Sequence, residues 1–170
     1  MTSKLTTENL AYHASRLLLL ISLCGKPRRP SMKSEKLPGI EGRTLLAKLD
    51  FFIRYPMYLK MAAQILDVNI SDEGLGLETV DEMHSVESRM VRYLYGPWDD
   101  AYYLALGYLV GKELIEVEKN GRHGTEIFRL TWKGQEVLAM ILKSPSYTDL
   151  AARADTVYCP HQVGHKFGDC

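Results

Sequence analysis

Residues 108–142 constrain the fold more than any other stretch, because the apolar pattern there changes from helical to alternating and back within a short run. Leu114-Ile115-Glu116-Val117-Glu118 alternates apolar and polar side chains as a half-buried strand does, and Thr125-Glu126-Ile127-Phe128-Arg129-Leu130 repeats the pattern. Between them Lys119-Asn120-Gly121-Arg122-His123-Gly124 holds an Asn-Gly pair, which tolerates the positive φ angles of a tight hairpin. Thr131 then stands where a helix takes its N-cap, with Val137, Leu138, Ile141 and Leu142 following at helical spacing. Helix, strand, polar turn, strand, helix is the order of a winged helix-turn-helix. The fold expected is therefore mainly α with a small β-hairpin. Domains of this kind bind DNA or protein and seldom perform chemistry.

The totals narrow the choice. A chain of 170 residues with 46% hydrophobic and 25% charged residues has a globular composition. Lys plus Arg equals Asp plus Glu at 21 each, so no overall field draws the molecule to nucleic acid, and such binding must come from local patches. Three cysteines, Cys24, Cys159 and Cys170, make no disulfide framework and suit a reducing compartment. The apolar run at residues 17–24 is too short to span a bilayer, and neither a secretory cleavage site nor a lipoprotein signal follows it, so a cytoplasmic location is expected.

Four segments follow in order. Residues 1–25 hold one helix, capped by Thr6 or Thr7, running to about Leu23 and stopped by Gly25 and Pro27, whose Leu10, Ala14, Leu17, Leu20, Ile21 and Leu23 tie it to the core. Residues 26–40 form a loop in which Lys26, Arg28, Arg29, Lys33 and Lys36 face one acid, Glu35; the run suits phosphate contact and a solvated linker equally. Residues 41–155 make the winged-helix domain, and residues 156–170 a tail containing Cys and His.

Within the domain, residues 41–55 are amphipathic, with Leu45, Leu46, Leu49, Phe52 and Ile53 inward and Arg43, Lys48, Asp50 and Arg54 outward. A short helix from Met57 would turn Tyr58, Met61, Ala62 and Ile65 to the core, an acidic loop covers 67–82, and residues 86–94 are apolar-periodic again. Tyr95-Gly96-Pro97-Trp98 makes a turn before a helix over about 100–112, capped by Asp99.

That last helix occupies the place of the base-reading helix in a DNA-binding winged helix. Leu104, Ala105, Tyr108 and Leu109 are expected to form its buried stripe, leaving Asp99, Asp100, Tyr102, Tyr103 and Gly107 exposed, with Lys112 the only cation. Carboxylates at a helix N-terminus repel phosphate, and exposed tyrosines beside little charge fit a protein interface. Asp99, Asp100, Tyr102 and Tyr103 are therefore the candidates for protein binding, with capping and core packing as the competing reading. Candidates for DNA are Arg28, Arg29 and Lys33 of the basic loop and Lys119 and Arg122 of the wing, with His123 and Arg129 beside them; a hairpin tip must be polar in any case. No phosphate-binding glycine loop, nucleophile elbow or metalloprotease pair occurs, so no enzymatic activity is expected by those routes.

Three pieces carry a resemblance: Glu41-Gly42-Arg43-Thr44-Leu45-Leu46-Ala47-Lys48-Leu49-Asp50-Phe51-Phe52-Ile53-Arg54-Tyr55-Pro56, then Val86-Glu87-Ser88-Arg89-Met90-Val91-Arg92-Tyr93-Leu94-Tyr95-Gly96-Pro97-Trp98-Asp99, then Leu130-Thr131-Trp132-Lys133-Gly134. Together they resemble the middle components of bacterial ABC-three-component defence systems, the small subunit of Lamassu systems being the nearest type. The similarity covers about residues 10–155, and neither the basic loop nor the tail belongs to it. It implies a non-catalytic subunit between an SMC-like ABC ATPase and an effector, often a nuclease, in an anti-phage or anti-plasmid complex. Double-stranded DNA would be touched without regard to sequence. The alternative is a free-standing transcriptional regulator, a homodimer on a palindromic site.

The tail poses a separate question, because Cys159, His161, His165 and Cys170 supply the four ligands of a tetrahedral zinc site. Their Cys-x-His-x3-His-x4-Cys spacing is uncommon, and few apolar neighbours hold them, so no cofactor is expected and an untethered tail is the favoured reading. A metal-dependent enzyme built on the tail is the least favoured class. Metal analysis of the purified chain, with and without residues 159–170, is expected to find no stoichiometric zinc in either.

Overall fold

A computed structural model describes residues 2–26, 37–65, 67, 91–93, 96–98, 101–119, 124–148, 150–152 and 154. The order is α1 (Thr2–Cys24), β1 (Gly39–Glu41), α2 (Arg43–Arg54), α3 (Pro56–Ile65), β2 (Val91–Tyr93), β3 (Gly96–Trp98), α4 (Ala101–Gly111), β4 (Ile115–Lys119), β5 (Glu126–Leu130) and α5 (Trp132–Ile141), then a 3-10 turn at Pro145–Tyr147. The protein is mainly helical, with a three-stranded antiparallel sheet ordered β1-β5-β4 and a separate β2-β3 pair.

α1 is the axis of the core. Leu17, Leu18, Leu19, Leu20 and Ile21 are all completely buried, so this part of the helix is covered on every side, by α2, α4, α5, β1 and β5. Each such side chain contributes about 1.5–3 kcal/mol over its exposed state. The expected anchoring helix thus shares one core with residues of α2, α3, α4, α5 and the three-stranded sheet. Its end is tight: a Cβ on Gly25 would stand 2.2 Å from the Ile21 carbonyl oxygen and 2.7 Å from the Gly39 nitrogen. Only glycine lets the backbone approach so closely there. Lys26 and Gly39 then exchange backbone hydrogen bonds of 2.9 and 3.1 Å, which bring the chain back to begin β1.

β1 is not expected from the sequence, in which residues 39 and 40 read as loop and Glu41 as the start of a helix. Three residues are too few to show alternation. The strand exists because β5 offers it a partner: Gly39, Ile40 and Glu41 pair with Arg129, Phe128 and Ile127. The hairpin strands appear where expected, with Ile115 opposite Leu130 and Lys119 opposite Glu126. Residues 120–123, including the Asn-Gly pair, lie outside the described residues. The turn expected at 95–98 and the end of the periodic run before it instead include the strands β2 and β3, with Val91 opposite Trp98.

α4 ends without a glycine in the left-handed position. Glu113 takes φ +61° there, Leu114 N–H donates to Leu109 O and Glu113 N–H to Val110 O, each at 2.9 Å. This is the Schellman arrangement, and the Leu109 and Leu114 side chains it brings together are both buried. α5 begins with its expected cap, since the Thr131 hydroxyl accepts from Gly134 N–H at 3.0 Å. It also lies 2.7 Å from the Glu113 carbonyl, to which it can donate, stitching the end of α4 to the start of α5.

α2 and α3 turn differently from expectation. In α2, Asp50 and Arg54 are buried with Leu46, Leu49 and Ile53. In α3, Pro56, Leu59 and Ala63 are buried, while Tyr58, Met61 and Ile65 point outward and Ala62 is half-buried. Tyr58 instead joins Phe51 and Tyr55 in an aromatic cluster across the α2–α3 corner, with ring centroids 5.0–6.2 Å apart. Among the described residues no helix is long and apolar enough to cross a membrane.

A Cβ on Gly134 would come within 2.1 Å of the Leu114 carbonyl oxygen, a backbone atom that cannot rotate away. Gly134→Ala should therefore cost about 1–3 kcal/mol of stability despite the better helix propensity of alanine, read as a lower denaturation midpoint with an unchanged slope.

Candidate functional site

A buried knot of charge positions the surface of interest. Arg16 on α1 pairs through Nε with Asp50 Oδ1 on α2, and its Nη2 lies 3.2 Å from Asp50 Oδ2. The Tyr102 hydroxyl on α4 donates to Asp50 Oδ2 at 2.6 Å, and Arg54 Nη1 stands 3.7 Å from the same oxygen. Arg16 Nη2 also meets His13 Nδ1 at 2.8 Å. Because a guanidinium can only donate, His13 accepts there and carries its proton on Nε2. All five side chains are buried. One carboxylate thus joins three helices, and two guanidiniums share its charge.

Burial, with the adjoining Asp50 charge and hydrogen bond, pushes the Tyr102 phenol well above its ordinary value of 10.0. Ionising it would set a second anion against Asp50 away from water.

This knot decides which way α4 faces. The helix reads Ala-Tyr-Tyr-Leu-Ala-Leu-Gly-Tyr-Leu-Val-Gly, with no charged residue anywhere, so its own pattern favours no rotation. With the Tyr102 hydroxyl held by Asp50, Tyr102, Ala105, Leu106 and Leu109 turn inward. Tyr103, Leu104, Gly107, Tyr108, Val110 and Gly111 then form the outer face, with Tyr103 57% and Leu104 67% exposed. Two sequence expectations change. Leu104 and Tyr108 are not in the buried stripe, and Tyr102, at 4% exposure, is a core residue and not an exposed interface tyrosine.

The outer face is apolar and uncharged along its length. The nearest cations lie over its rings: Arg43 stands 5.8 Å from the Tyr103 centroid and Lys112 5.8 Å from that of Tyr108. Arg43 is also paired with Glu126 at 2.6 Å. Nothing lies within 4 Å of where a Cβ would sit on Gly107 or Gly111, so the helix backbone is open to approach there.

The DNA candidates fare unevenly. Lys119 is exposed at the end of β4, toward the hairpin tip. Arg129 is buried, donating to the Leu37 carbonyl at 2.8 Å and to Glu118 at 3.2 Å, so it holds β5 to its neighbours and is not open to a phosphate. Arg28, Arg29, Lys33, Arg122 and His123 lie outside the described residues, as do Asp99 and Asp100 and the tail residues Cys159, His161, His165 and Cys170. Among the described residues no group of three or more His, Cys, Asp or Glu side chains is arranged to hold a metal.

The chain matches no family model, no curated protein and no solved structure.

Tyr102→Phe should destabilise the protein by about 1–3 kcal/mol at neutral pH, since it removes one donor from a buried carboxylate. The raised Tyr102 pKa adds an alkaline signature. Below pH 10 folded and unfolded chains both keep the phenolic proton; above it only the unfolded chain releases it, and stability falls by about 1.4 kcal/mol per pH unit. Thermal denaturation between pH 8 and about pH 11 should show the variant losing less stability than the parent.

Proposed function

We propose that this chain is a non-catalytic adaptor with a winged helix-turn-helix arrangement, whose α4 face docks protein. Support for the fold comes from the order α1-β1-α2-α4-β4-β5 around a β1-β5-β4 sheet, with α3 and the β2-β3 pair inserted between α2 and α4. In that arrangement α4 stands where a reader helix would. The observation that carries the reading is its composition: a helix of eleven residues without a single charge supplies none of the cations whose phosphate contacts dominate duplex affinity.

Aromatic and aliphatic side chains without charge are what the centres of protein interfaces contain, and Tyr103, Leu104 and Tyr108 are of that kind. The resemblance to middle components of ABC-three-component defence systems agrees with this chemistry. On that reading the partners are an SMC-like ABC ATPase and an effector, often a nuclease, in a complex directed against phage or plasmid. DNA contact is auxiliary and sequence-blind, through Lys119 and the basic side chains of residues 26–36 and the wing. A free-standing regulator is less well supported, because it would place an uncharged helix in the major groove.

Co-expression with the products of adjacent genes tests the reading. The parent chain should form a stoichiometric assembly, and Leu104→Glu should abolish it with a stability change within about 0.5 kcal/mol, as for other exposed sites. Lys119→Glu should weaken binding to random duplex DNA and flatten its salt dependence while assembly persists. Tight binding of one operator by the isolated chain would refute the adaptor reading.

A further inference from the structure

We draw no further inference here: the strongest candidate, the exposed apolar face of α4 formed by Tyr103, Leu104, Tyr108 and Val110, belongs to the site already described, and nothing in the structure shows what covers it.

Discussion

The Asp50 carboxylate is the constraint on which the arrangement depends. It is completely buried and receives Arg16 from α1, Tyr102 from α4 and the charge of Arg54 one turn along its own helix. An ion this deep is costly unless its partners are close and well oriented, and removing one member of such a group typically costs more than the whole group contributes. Burial of leucine is indifferent to rotation and register within wide limits. The knot is not, because each of its hydrogen bonds tolerates only a few tenths of an ångström and a narrow range of angles. It therefore selects one relative placement of α1, α2 and α4 among the many that the surrounding leucines would accept.

From that placement the surface follows. An apolar helix buried on all sides would be unremarkable, and α1 is such a helix over Leu17 to Ile21. α4 has the same kind of composition but is covered on one side only, leaving an uncharged strip in contact with water. The tight end of α4, locked by the Schellman bonds of Glu113 and Leu114 and by the Thr131 hydroxyl, keeps that strip rigid with respect to the sheet. A rigid apolar face loses little entropy when it docks.

The parts of the fold legible in the sequence are those whose cause is local. The hairpin strands are set by alternation, the start of α5 by the Thr131 hydroxyl accepting from the N–H three residues on, and the burial of α1 by leucine density alone. β1 was illegible because three residues carry no pattern, and it forms only where β5 lies ready to pair. The candidate site was half legible. Tyr103 stands exposed as expected, but the helix expected over about 100–112, with Lys112 its only cation, is Ala101–Gly111 and carries no charge. Tyr102 and Tyr103 could not be told apart, since adjacent tyrosines on a uniformly apolar helix differ only in which way the helix is turned.

The same division explains Asp50, Arg54 and Arg129. By sequence they sit on the polar sides of their elements, where charge belongs when water is the only available partner. What reverses the expectation is a partner from elsewhere: Arg16 reaches Asp50 from α1, and the Leu37 carbonyl, in the segment just before β1, accepts from Arg129. Hydrogen-bonding rules, backbone propensity and apolar spacing act over four or five residues, and the sequence alone determined what they control: the helices, the hairpin and the uncharged character of α4. Which side of α4 meets water, and which charges leave it, was decided by tertiary structure, because the free energy of a buried charge depends on groups far along the chain that only the completed fold brings within reach.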